Sequence, residues 1–116
     1  MSSFETVRRI AHQSPGVEDG TSYGTPALKV NGALMARLRE DGETLVLKCT
    51  FIDRDLLMHD APDTYFYTDH YRNYEWVLVR LSRIRVPELR ERLEEAWRRV
   101  APRTVLDAAP RRRPRT

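Results

Sequence analysis

The chain has 116 residues, 41% hydrophobic and 32% charged, with a formal charge of +3, which suits one domain with one core. Its single cysteine, Cys49, excludes an intramolecular disulfide and a multi-cysteine zinc site, and no stretch approaches the roughly 18 apolar residues of a membrane span, so a soluble cytoplasmic protein with no membrane partner is expected. Arg111, Arg112, Arg113 and Arg115 lie in the last six positions, and the rest of the chain holds 16 basic against 17 acidic residues, so any affinity for a polyanion must come from where the charges lie.

Ser2 followed by Glu5 has capping-box spacing, and Phe4, Val7, Ile10 and Ala11 recur at helical intervals, which predicts a first helix of about ten residues. Ser14-Pro15-Gly16 stops it. From there to Thr25 the chain is polar and punctuated by glycine, and a loop is expected with Tyr23 as its only large apolar anchor.

Pro26 to Cys49 holds three apolar runs separated by Asn31-Gly32 and Asp41-Gly42, dipeptides that tolerate the positive φ of tight hairpin turns. This predicts a three-stranded antiparallel meander. A turn at Asp41-Gly42 pairs Leu38 with Leu45, Ala36 with Leu47 and Leu34 with Cys49, placing all six on one face. Met35, Arg37, Arg39, Thr44, Val46 and Lys48 then occupy the other. In the first hairpin a strict two-residue turn sets Leu28 and Val30 beside Met35. One extra loop residue or a bulge instead brings them to the Leu34 face and turns Lys29 outward, and burial favours this second arrangement.

A second helix is expected with Asp53 as N-cap and with Leu56 and Leu57 facing inward, ending at Ala61-Pro62-Asp63. Thr64–Thr68 and Glu75–Leu81 read as strands around a loop at Asp69–Tyr74. Pro87 then opens a third helix whose apolar face is Leu89, Leu93, Ala96, Trp97 and Val100, ending near Ala101-Pro102. The expected fold is α+β in two layers, α-β(3)-α-β(2)-α, with a mostly antiparallel sheet and helices packed on one face. The domain spans 1–106, and 107–116 form a disordered tail rich in arginine and proline.

Six aromatics fall between 65 and 76, and each reads as core or as a stacking platform, with Tyr71 and Tyr74 the members most open to solvent. His70 beside Asp69 has the makings of a general base, but the chain supplies nothing for it to activate. Asp53, Asp55 and His59 have weak metal-ligand character that helix-start acids explain without a metal. No nucleophile motif, metal set or phosphate-binding loop is present, so neither a cofactor nor catalysis is expected. Arg37, Arg39 and Lys48, with Lys29, form a positive patch on paired strands that either tracks phosphates or is a solvated sheet face. Arg80, Arg83 and Arg85 make a second basic group at the exit of the last strand.

The stretch YGTPALKVNGALMARL from Tyr23, the strand LVLKC, the segment LMHDAP, the run YFYTDHYRNYEWVLVRL and the closing helix with Leu89, Leu93 and Trp97 together resemble the MmcQ/YjbR-like proteins. The resemblance covers nearly the whole chain except the arginine tail. It implies a two-layer fold similar to secretion chaperones and DNA binding through a double wing of β-elements. Here the wings map to the turns at Asn31-Gly32 and Asp41-Gly42.

The leading expectation is therefore a non-enzymatic DNA-binding protein that contacts backbone phosphates through Lys29, Arg37, Arg39, Lys48 and the tail residues Arg111, Arg112 and Arg113. Two rivals stand beside it. One is a protein-interaction module, possible as a homodimer, on the sheet face that carries Met35 and Val46. The other is a small-molecule binder at the loop of His70, Tyr71 and Tyr74.

Overall fold

Ser3, one residue later than the spacing suggests, starts the first helix, α1 (Phe4–Ala11): its hydroxyl accepts the Thr6 N–H at 3.3 Å. Ser2 is used elsewhere. Its N–H donates to the Leu81 carbonyl at 2.9 Å and its hydroxyl to the Ile84 carbonyl at 3.0 Å, pinning the chain start to the end of the sheet. The structure, a computed structural model, describes residues 2–108.

The segment expected to be a loop contains a strand. β1 (Val17–Ser22) pairs with β2 (Thr25–Val30) through a two-residue turn at Tyr23-Gly24, where both residues have positive φ, +54° and +78°. Tyrosine is not a residue that announces such a turn, and an edge strand with few buried side chains carries no apolar alternation. Tyr23 is 79% exposed, so it is not an anchor in the core.

β3 (Ala33–Leu38) follows the Asn31-Gly32 turn, and β4 (Thr44–Lys48) follows the loop at Asp41-Gly42. Leu38 pairs with Leu45 and Ala36 with Leu47, as the alternation predicts. The Asp41 carboxylate fixes that loop by accepting the N–H groups of Glu43 and Thr44, each at 2.9 Å, and the Thr44 hydroxyl at 2.7 Å. Of the two routes to the favoured arrangement of the first hairpin, a bulge is present, with Leu28 opposite Ala36 but Lys29 opposite Leu34. It lies in β3 and absorbs Met35, so the expected places of two residues are exchanged. Met35 is fully buried in the main core, and Leu34 is on the opposite face.

α2 (Phe51–Asp60) is capped by Thr50, whose hydroxyl accepts the Asp53 N–H at 3.1 Å; Asp53 is not the cap. Leu57 packs against the core, whereas Leu56 is 57% exposed. β5 is cut to Tyr65–Phe66, a 3-10 turn covers Asp69–Tyr71, and β6 runs Trp76–Arg80. α3 (Val86–Val100) buries Leu89, Leu93, Ala96 and Trp97, the face predicted for it. A short α4 (Arg103–Ala108) continues beyond Pro102, where the sequence sets the end of helical structure; the expected tail otherwise lies outside the described residues.

The result is α+β: a six-stranded antiparallel sheet in the order β1-β2-β3-β4-β6-β5. Its inner face is covered by α1 and α3, which join Val7, Ile10, Leu28, Leu45, Leu93 and Trp97 in one core. Trp97 Nε1 donates to the Pro15 carbonyl at 2.8 Å and fastens α3 to the α1–β1 link. On the outer face, no α-helix among the described residues contributes to the buried cluster. There the segment from Tyr67 to Trp76 folds back over β4 and β6 and buries Val46, Tyr71 and Leu78 in a second, smaller cluster.

Candidate functional site

The fold-back of 67–76 is held by Arg54 of α2, a residue that sequence reasoning missed. Its side chain is buried, and Nη1 donates to the carbonyls of Tyr71 and Tyr74 at 3.0 Å and of Trp76 at 3.2 Å, while Nη2 donates to that of Arg72 at 3.0 Å. The guanidinium also lies 4.1 Å from the centre of the Tyr67 ring and 5.0 Å from that of Phe51. Charge-assisted bonds to backbone carbonyls can hold an irregular segment on a sheet. An arginine between two aspartates in a helix reads as an ordinary surface residue, so no signal in the sequence marked it.

Between this segment and the β1–β2 hairpin lies a cleft of about 340 Å3. The floor is Leu34, Arg37 and Val46 of the sheet. Tyr23 from the hairpin tip lines it on one side, and His70, Tyr71, Tyr74 and Trp76 line it on the other. The His70 and Tyr71 rings meet edge-on at 4.7 Å. The three residues expected to form a ligand loop thus do share one cavity, joined by Tyr23, which the sequence suggested only as an anchor. Tyr23-Gly24 ahead of Thr25-Pro26 was the available signal.

Arg37 is the unusual member. It is expected as an exposed phosphate contact, but it is only 7% exposed. Nη1 donates to the Thr25 hydroxyl at 3.0 Å and to the Leu38 carbonyl and Glu40 Oε1, both at 3.3 Å; Nη2 donates to the Tyr71 hydroxyl at 3.3 Å; Nε has no partner. Burial works against its charge, but the Tyr71 hydroxyl and the Glu40 carboxylate outweigh that and hold its pKa above the usual arginine value. The bulge and the Tyr71 lid together explain its burial. The outer face at Arg37 is roofed, a circumstance that strand alternation cannot reveal.

The other strand cations do not assemble into a sheet-wide patch. Lys29 lies along Gly20 of β1, where an added Cβ would meet its Cδ at 3.5 Å, and the Lys48 ammonium sits 4.9 Å from the centre of the Trp76 ring. Arg39 is half-buried beside the Glu40-Asp41 turn. Arg80 stacks at 4.0 Å on Phe66 and donates to the Asp63 carbonyl at 3.2 Å, while Arg83 and Arg85 are exposed. Arg111, Arg112 and Arg113 lie outside the described residues. The interaction face expected at Met35 and Val46 is likewise absent, since both are buried.

A second cavity, of about 280 Å3, opens between β4, α2 and α3 and contains Cys49, Asp53, Arg92, Glu95 and Arg99. With Lys48 its lining carries three cations and the two carboxylates of Asp53 and Glu95. Burial, with Asp53 nearby, pushes the Cys49 thiol up to about 11, which keeps it protonated and unreactive at neutral pH. Asp55 and His59 are exposed on α2, and among the described residues no three His, Cys, Asp or Glu side chains are gathered as a metal site. Nor is any described helix long and apolar enough to cross a membrane.

This architecture is that of a known domain class. The crystal structure of Deinococcus radiodurans protein DR2400, a DUF419 domain, superposes with a TM-score of 0.72 at 20% identity, covering 84% of this chain and 77% of that one. The chain belongs to the YjbR family, whose family model matches residues 12–99. Uncharacterised proteins of Mycobacterium tuberculosis H37Rv (Rv2570) and Mycobacterium bovis (Mb2600) are each 44% identical over 52 residues, 45% of this chain. The match spans 40% of the length of these relatives.

Proposed function

We propose that this chain is a non-enzymatic domain that binds a small molecule in the aromatic cleft. The observation that carries this reading is the burial of Arg37 in the floor of a cavity lined by aromatic side chains from two separate parts of the chain. Small-ligand sites combine an apolar, largely preformed concavity with a few convergent polar groups, and a volume of about 340 Å3 lies at the lower end of their range. Duplex binding through the strand cations is less favoured, because a phosphate backbone needs several accessible charges on one side. Here Arg37 is buried and Lys48 packs on Trp76.

Amide shift mapping of the full-length protein against a fragment library tests this reading, with a short DNA duplex titrated at two salt concentrations alongside. Fragment shifts should gather on Tyr71, Tyr74, Trp76 and the Tyr23 turn. Fragments that leave these residues unmoved, or a duplex that moves the strand cations with steep salt dependence, would overturn it.

A further inference from the structure

Resting on the cleft reading, we infer the ligand class: a planar aromatic carboxylate whose anionic group meets the Arg37 guanidinium while its ring lies against Tyr23 and Tyr74.

The partners of the Arg37 guanidinium are unevenly placed. Of its three nitrogens, Nη1 has three acceptors, Nη2 has only the Tyr71 hydroxyl, and Nε has none. Its sole carboxylate neighbour among the described residues, Glu40, is 64% exposed and touches Nη1 at 3.3 Å, on the side away from Nε. A guanidinium withdrawn from water needs its donors filled. Nη2 has one acceptor for its two hydrogens and can still donate to a carboxylate oxygen. No carboxylate lines the cleft to supply that oxygen from within. Arg37 is also the one permanently charged lining group, which matches a monoanion better than a dianionic phosphate. The Tyr71 hydroxyl accepts from Nη2, so its own proton is available to the same anion.

The ring preference comes from Tyr23. A bulky residue at φ +54° strains its backbone, because the β-carbon crowds the following carbonyl there, and only Gly, Asn and Asp accept that region readily. Packing does not offset the strain, since the side chain is 79% exposed. Strain of this kind that persists without burial collects at binding sites. The turn holds the Tyr23 ring 5.1 Å from the Arg37 guanidinium, and Tyr74, 60% exposed, stands at the other rim. Two open aromatic faces on either side of a buried cation suit a flat π-system with one negative end. The volume admits one or two fused rings.

Calorimetry with the full chain separates the parts of this inference, using 2-naphthoate, its neutral amide 2-naphthamide and the non-aromatic cyclohexanecarboxylate. Naphthoate should bind about tenfold or more tighter than either of the others. Arg37→Gln should erase the gap between naphthoate and naphthamide. Tyr23→Asn, which suits the turn and removes the ring, should weaken both aromatic ligands about fivefold or more while leaving cyclohexanecarboxylate within about twofold. The ranking in the unaltered protein needs no variant to fold. Equal affinity for naphthoate and naphthamide overturns the anion, and equal affinity for naphthoate and cyclohexanecarboxylate overturns the ring. If none of the three binds while library fragments still map to the cleft, the ligand class alone falls. If the library is silent as well, the cleft reading falls with it.

Discussion

Arg37 Nη2 donates to the Tyr71 hydroxyl at 3.3 Å, joining the middle of the sheet to the segment that roofs it, 34 residues further along the chain. Removing the hydroxyl alone leaves a buried donor without an acceptor. Tyr71→Phe should therefore cost about 1–2 kcal/mol in urea unfolding. Replacing both partners, as Arg37→Met with Tyr71→Phe, removes the buried charge along with its acceptor and should return stability to within about 1 kcal/mol of the original. A double variant as unstable as the sum of its single changes would show that the guanidinium holds the fold together by itself.

The bulge in β3 gives Met35 and Leu34 opposite surroundings. Met35→Ala opens a cavity in a closed core and should cost about 2–5 kcal/mol. Leu34→Ala, on the cleft floor, should cost under about 1.5 kcal/mol and chiefly lower ligand affinity. Denaturant midpoints for the two variants check the register directly, because strict alternation demands the reverse order.

Tyr23 sits in a backbone conformation that asparagine adopts more readily. Tyr23→Asn should raise stability by about 0.5–1 kcal/mol, visible as a higher urea midpoint at unchanged slope. A lower midpoint would mean that the ring contributes to folding as well as to the cleft.

Arg54 holds its segment through bonds from Nη1 and Nη2 to backbone carbonyls. Arg54→Lys keeps the charge but not the fork, and a loss of about 3 kcal/mol is expected. Hydrogen exchange should localise the damage, with the amides of Tyr74 and Trp76 losing protection before those of β2 and β3.

The thiol of Cys49, raised by burial to about 11 against an ordinary 9.0, sets a pH window. Below pH 9 folded and unfolded chains both keep the proton and stability is independent of it. Between pH 9 and about 11 the unfolded chain loses its proton first, so stability falls as pH rises. Cys49→Ser should flatten that alkaline decline. Iodoacetamide at pH 8 should modify the native thiol about tenfold or more slowly than an unfolded one.

Much of the fold was legible because its signals are local. Asn31-Gly32 and Asp41-Gly42 placed two hairpins, and the spacing of Leu89, Leu93, Ala96 and Trp97 placed the buried face of α3. The family resemblance held across residues 12–99. β1 escaped because its register depends on Tyr23 in a conformation tyrosine seldom adopts, and because an edge strand need not alternate. The cleft was half legible. His70, Tyr71 and Tyr74 were grouped by sequence proximity, and they do converge. Arg37 was read on the correct face of its strand but as solvated, because the roof over it comes from residues 67–76 and is held down by Arg54, contacts of long sequence separation that no local pattern encodes.

Arg54 grips the cleft's wall by main-chain oxygens, which are the same atoms whatever side chains residues 71, 72, 74 and 76 carry. Apart from Tyr71, whose hydroxyl meets Arg37, the rim can thus be rewritten without loosening its attachment. One framework could then serve chemically different guests, and an engineer seeking new selectivity would vary positions 70 and 74 first and leave position 54 alone.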